Sequence, residues 1–289
     1  MKDKIVKGKN LSSEKVSEFK KLAKWVRKKI LEMAVGAGAG HIAPSFSCVE
    51  ILVAIYYSGF LRIDQKDSKL ENRDRFILSK GHAAPALYAI LADKGFFPLS
   101  DLDRFAKEGS HLGCHPEDST PGIEIFTGSL GHGLPVGAGL ALSAKLDKKK
   151  YLVAALLGDG ECHEGSVWEA AMFAAQYQLN NLLAIIDHNG LSATGVLKNY
   201  LGVEPLKKKW ESFGWDAVLV DGHSFEELFS VLKFASSRSS NKPLVIIALT
   251  TKGKGISFME NNPIWHYRVP KGEELEIARK ELNLVNKEV

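Results

Sequence analysis

Two short turns in the sequence carry oxygen ligands suited to a hard cation. Asp159 lies in Gly158-Asp159-Gly160 at the end of an apolar run, Leu152 to Leu157, and Asn189 follows a second run, Leu182 to Asp187, thirty residues downstream. If the two runs are neighbouring parallel strands, the Asp159 carboxylate and the Asn189 amide oxygen emerge side by side. With a carbonyl from the Asn-Gly turn they form an incomplete all-oxygen sphere. Mg²⁺, whose ligands sit at about 2.0–2.1 Å, completes such a sphere with phosphate oxygens and water. Gly158 and Gly160 permit close approach of backbone N–H groups to an anion, and the following helix points its positive end the same way. Either turn alone reads as an ordinary loop. Both, each at a strand end and in the right order, point to a phosphorylated cofactor.

Histidines supply a second set of groups. His41 closes the glycine-rich GAGAGH, and His82 lies in Lys80-Gly81-His82 between an apolar strand, Arg75 to Ser79, and a helix, Ala83 to Ala92. The carboxyl end of a strand, just before a helix, is where open α/β sheets bind ligands. A histidine there can hydrogen-bond a hydroxyl or phosphate and trade a proton near neutral pH. The plain alternative for each is a satisfied structural histidine. Cys162-His163-Glu164 is not read as a zinc site, because adjacent residues rarely face one metal and no second ligand pair exists.

The elements that must position these groups follow from periodicity. Ser13 to about Val35 has Val16, Phe19, Leu22, Ala23, Val26, Ile30 and Met33 at three- and four-residue steps, an amphipathic helix. Ser47 with Glu50 reads as a capping box before the apolar run Val49 to Tyr57, and Ser224 with Glu227 repeats the pattern. Ser110 to Gly133 is a long turn-rich loop of the kind that is functional or disordered. Leu134 to Leu146 is a helix with a Gly/Ala face. A helix from Glu204 to Phe213, a strand from Trp215 to Val220 and a last strand from Pro243 to Thr250 follow. Continuous apolar strands alternating with helices predict an α/β fold, a parallel sheet with helices on both faces. Residues 1–289 read as one domain, with a core at about 13–270 and a tail at 271–289.

Composition is that of an ordinary globular protein: 289 residues, 45% hydrophobic, 25% charged, net charge +4. No apolar run approaches the roughly 20 residues of a membrane span, and the lysines are scattered, which argues against membrane and nucleic-acid partners. Three separated cysteines and a polar amino terminus without a signal sequence predict a reducing, cytoplasmic setting.

GDGECHEGSVWEAAMFAA followed by IIDHNG resembles the thiamine-diphosphate motif, in wording closest to transketolase. AGHIAPSFSCVEIL, ILSKGHAAPALYAIL, GCHPE, TPGIEIFTGSLGHG and TTKGKGISF each resemble a transketolase segment in the same order, from roughly Leu22 to Pro270. The resemblance implies the thiamine-diphosphate-binding fold, with Asp159, Asn189 and the Leu191 carbonyl holding Mg²⁺, or Ca²⁺ or Mn²⁺ in its place. It implies cofactor contacts at His82, Gly131, His132, Gly158, Gly160, Glu161, Glu164 and His266, and sugar-side roles for His41, His82, His115 and His266. Glu164 corresponds to a glutamate at the subunit contact; its alternative reading is a carboxylate favoured at a helix amino terminus. Cys114 stands where the family usually has glycine, and His132 where glutamine is commoner.

The resemblance extends only to the amino-terminal half of a transketolase. It implies a separate pyrimidine-binding subunit, an α₂β₂ assembly, and transfer of a two-carbon ketol unit between sugars or sugar phosphates. The competing expectations are the α subunit of a 2-oxo acid dehydrogenase and a non-catalytic binding protein that retains the fold.

Overall fold

The strands form because runs such as VAALLG and LLAIIDH are aliphatic on both sides and so are stable only when covered on both sides. The computed structural model describes residues 11–63 and 71–284; the amino-terminal decapeptide on which the leader reading rests lies outside them. Five strands, β1 (Arg75–Leu78), β2 (Val153–Gly158), β3 (Leu182–His188), β4 (Asp216–Asp221) and β5 (Leu244–Leu249), form one sheet in the order β1-β2-β3-β5-β4. Every pairing is parallel, and Gly158 is in register with Asp187. The two strands that end at Asp159 and Asn189 are therefore neighbours, the condition for their oxygens to emerge side by side.

Helices cover both faces. Ala154, Leu156, Leu183, Ile185, Leu244 and Ile246 pack into a core with α1 (Ser13–Ala37), α2 (Ile42–Ser47), α3 (Val49–Tyr57), α4 (Ala84–Asp93) and α8 (Phe225–Ser237). The alternate residues Val153, Ala155, Leu157, Ala184, Ile186 and Val245 face α5 (Gly133–Leu146), α6 (Gly165–Gln176) and α7 (Leu206–Ser212). Beyond residue 270, α9 (Glu273–Glu281) returns to the first core, burying Ala278 and Leu282. None of the described helices is long and apolar enough to cross a membrane.

One local expectation fails and another is half met. The Ser47/Glu50 capping box does not form: the chain is already helical from Ile42, Cys48 marks the break, and no side chain caps α3. Ser47 instead donates to Asp187 Oδ2 at 2.5 Å. Glu50 takes a bidentate pair from Arg27, at 2.7 and 2.8 Å, and a bond from His223 Nδ1 at 2.9 Å. Burial would push the Glu50 carboxyl up, yet Arg27 and His223 hold it at about 2. A buried charge here was worth more as a tertiary partner than as a local cap. At Ser224 half of the box forms: its hydroxyl accepts from Glu227 N at 3.2 Å, while the Glu227 carboxylate accepts from Asp221 N at 2.8 Å.

The long loop from Ser110 is fastened at several points. Tyr88 donates to the His115 carbonyl at 2.9 Å, Thr127 Oγ1 donates to the Leu78 carbonyl at 2.9 Å, and Arg73 pairs with Glu124. These tie His115 to the end of β1.

Candidate active site

The carboxyl ends of β1, β2, β3 and β5 open into a cleft of about 340 Å³, lined by Pro44, Lys80, His82, Gly158, Asp159, Gly160, Glu161, Asn189, Leu191, Lys252 and His266 among others. Asp159 is 2% exposed. Its Oδ1 accepts from Gly160 N at 2.8 Å; Oδ2 accepts from Gly190 N at 2.5 Å and from His188 Nδ1 at 3.0 Å. Gly190 reaches this position with φ +74, the left-handed conformation that suits glycine. Asn189 is oriented by its own turn, its Oδ1 accepting from Leu191 N at 3.1 Å. Among the described residues, no three His, Cys, Asp or Glu side chains are grouped for a metal. A cation here would therefore rely on one carboxylate, one amide oxygen and a main-chain carbonyl, a hard-oxygen set that suits Mg²⁺ only with phosphate oxygens added.

The cleft is built for an anion. An added Cβ at Gly158 would meet nothing within 4 Å, and one at Gly160 would make only ordinary contacts, with Ser192 Cβ at 3.5 Å and Leu197 Cδ2 at 3.7 Å, so a ligand can approach the backbone. Lys80 and Lys252 are both 1% exposed. Lys80 pairs with Asp187 and donates to the Pro44 carbonyl at 3.0 Å. Burial would lower its pKa, but Asp187 raises it. Asp187 also accepts from Ser47, Thr250 and Asn189. Lys252 donates to the Ser192 carbonyl and to His266 Nδ1, each at 2.8 Å. Burial and the nearby Lys80 ammonium lower its pKa to about 8.

The four expected histidines converge from four loops. His41 precedes α2, His82 lies in the turn after β1, His115 in the long loop, and His266 just after Pro263–Trp265. Ring centroids separate His41 from His82 by 5.4 Å, from His115 by 5.7 Å and from His266 by 5.3 Å, and His82 lies 5.4 Å from His266. Burial, reinforced by neighbouring His115, Lys252 and Lys80, lowers His41 to about 4; burial, Lys252 and His41 lower His266 to about 3. His82 and His115 are lowered chiefly by burial. At neutral pH the cluster is a set of uncharged imidazoles, able both to donate and to accept. The buried Nδ1 of His41 has no protein partner.

The other expected contacts are Glu161, which lines the cleft, and Gly131, His132 and Glu164, which do not. Glu161 directs its carboxylate to Ser79 Oγ, Gly131 N at 2.9 Å and Gly158 N at 3.1 Å, so it braces the loops that shape the cleft. Gly131 has φ +85, and an added Cβ would fall 2.6 Å from Glu164 Cβ; its amide is engaged by Glu161. His132 is exposed, its Nδ1 donating to the Leu130 carbonyl at 3.1 Å. Glu164 occupies the cap position of α6 with an exposed side chain and no capping hydrogen bond.

Residues 19–288 match the family model described as the thiamine diphosphate binding domain of transketolase. The chain belongs to the transketolase family. It is 45% identical over 267 residues to an apulose-4-phosphate transketolase subunit of Actinobacillus succinogenes, covering 92% of this chain and 96% of that one. A 6-deoxy-6-sulfo-D-fructose transketolase subunit of a Clostridium species is 40% identical over 255 residues, with 88% and 92% coverage. The crystal structure of Campylobacter jejuni transketolase superposes with a TM-score of 0.87 at 30% identity, over 93% of this chain and 43% of that chain. The chain thus spans less than half the length of that transketolase and nearly all of the two subunits.

Sequence reasoning missed Lys80, Asp187, His188 and Lys252 as site residues. The signals were an acid ending an aliphatic strand and a lysine in each glycine turn, at KGH and TKGKG. His188 donates Nδ1–H to Asp159 and Nε2–H to Glu204 Oε1 at 2.7 Å. Burial lowers its pKa, but these two carboxylates outweigh burial and raise it.

Proposed function

We propose that the chain is the diphosphate-side subunit of a two-chain transketolase, transferring a two-carbon ketol unit from a ketose or its phosphate to an aldose or its phosphate. The chemistry a bound thiamine diphosphate supplies is a nucleophilic carbon and an electron sink for the bond beside a ketose carbonyl. In this reading, Asp159, Asn189 and the Leu191 carbonyl hold Mg²⁺ against the diphosphate, and Lys252 and the glycine turn at Gly158-Gly160 neutralise and seat it. His41, His82, His115 and His266 take the sugar hydroxyls. Lys252 donates to His266 Nδ1, which leaves Nε2 as the protonated nitrogen able to donate to a substrate oxygen.

The observation that carries the reading is that the cleft holding the oxygen ligands and two buried lysines is also lined by His82 and His266, against which His41 packs, with His115 behind His41. A 2-oxo acid needs an anion pocket more than a row of hydroxyl partners, so the histidines favour a sugar. The pyrimidine side would come from a second subunit in an α₂β₂ assembly, as the word "subunit" in the names of the two bacterial relatives supports. Three free thiols, Cys48, Cys114 and Cys162, support a reducing, cytoplasmic setting.

The test is thermal unfolding of the chain with its partner subunit, with and without Mg²⁺ and thiamine diphosphate. Stabilisation that requires both and disappears in Asp159→Ala is the expected outcome. Stabilisation by the diphosphate that persists in Asp159→Ala would remove the metal assignment.

A further inference from the structure

Tyr267 is the closest aromatic neighbour of His41. The two ring centroids are 4.6 Å apart at 59°, nearer than any of the three histidines that surround His41. Yet the tyrosine is 52% exposed. Its neighbours are fastened on both sides. Trp265 is 3% exposed and packs on Phe258 at 4.8 Å, while the Arg268 guanidinium lies 4.5 Å over the Trp265 ring and donates to Glu274 Oε1 at 2.7 Å. The segment is therefore fastened on both sides of Tyr267 by contacts that do not involve its ring. One residue after His266, the ring lies against His41 while about half of it stays exposed.

We propose that Tyr267 is a specificity-determining residue, forming an aromatic wall beside His41 against which the sugar carbon chain lies as it enters the histidine cluster. The inference rests on the transketolase reading and deepens it by assigning chain-length selection to this side chain. A tyrosine ring offers a flat apolar face to C–H groups and a phenol at its edge. The ring fills space beside His41, so it favours short acceptors and restrains longer ones. Pocket volume of this kind discriminates by roughly ten- to 200-fold for each methylene-sized change.

The experiment measures kcat/KM of the chain with its partner subunit, using one ketose phosphate donor and either a three-carbon or a five-carbon aldose phosphate acceptor. Tyr267→Ala should raise the five-carbon to three-carbon ratio by about tenfold, through KM more than kcat. Tyr267→Trp, which keeps an aromatic on His41, should move the ratio the other way, and Tyr267→Phe should leave it within about twofold, since the ring does the selecting. Ratios unchanged in both Ala and Trp variants, with transfer intact, overturn the role of Tyr267 alone. Absence of ketol transfer by the unmodified complex with every ketose and aldose pair overturns the transketolase reading and this inference with it. Should the Ala variant fail to fold, the Trp and Phe variants decide.

Discussion

At the amino-terminal end of the sheet, charges meet one to one, each pair with at least one partner open to solvent: Arg62 with Asp74 at 2.8 Å, Lys149 with Glu71 at 2.8 Å, and Arg238 with Asp216 at 3.0 Å. At the carboxyl end, Lys80, Asp159, Glu161, Asp187 and Lys252 are all buried, and their charges do not cancel pairwise. Lys80 has Asp187, but Lys252 has only a carbonyl and an imidazole, with no carboxylate at ion-pair distance among the described residues. A buried ammonium without a counter-charge is costly. A protein retains one where a ligand supplies the counter-charge, so the contrast between the two ends locates the anion site without reference to any motif.

The contrast is broken or sharpened most strongly at Lys80. Lys80→Met leaves the Asp187 carboxylate buried against hydroxyls and an amide, and loss of about 3–5 kcal/mol in denaturant unfolding is expected. A loss no larger than that of a surface pair would mean that the buried pair is not what closes this end of the sheet.

Lys252→Met should act in the opposite sense. The cofactor-free protein becomes more stable, while affinity for thiamine diphosphate with Mg²⁺ falls on the order of tenfold or more, as for a lost hydrogen bond to a charged group. The pH dependence follows from the depressed pKa. Lys252 is charged below about 8 and neutral above it, so diphosphate binding weakens as pH rises through 8. A bound anion favours the ammonium, so binding near pH 8 takes up protons, measurable by calorimetry in buffers of different ionisation enthalpy. Proton uptake unchanged in Lys252→Met would assign the titration to another group. The smallest effect belongs to the amino-terminal end: Lys149→Ala should alter neither the melting temperature nor cofactor affinity, since an exposed pair is screened by water.

How much of this was legible in the sequence depends on the range of the interaction. The aliphatic runs at β2, β3 and β5 announced a doubly covered parallel sheet because strand periodicity is local. Asp159 and Asn189 were legible because glycine turns at strand ends are local too, and the four histidines because each stands in a motif of its own. Lys80 and Lys252 look like ordinary turn lysines until the fold brings them beside Asp187, Ser192 and His266. Ser47 and Glu50 satisfy a local capping rule that the structure does not use, because Asp187 and Arg27, remote in sequence, compete for the same groups. Gly131 and Glu161 are expected as cofactor contacts from their motif; what the sequence does not show is that their hydrogen bonds also lock the loop to the turn after β2.

The central claim is that this cleft is the diphosphate half of a shared active site. The direct measurement is ketol transfer by the purified chain, alone and after addition of a candidate pyrimidine-side subunit, with Mg²⁺ and thiamine diphosphate present throughout. The chain alone should show no transfer, and transfer should appear on mixing, saturating at equal amounts of the two subunits. Full activity of the isolated chain would contradict it.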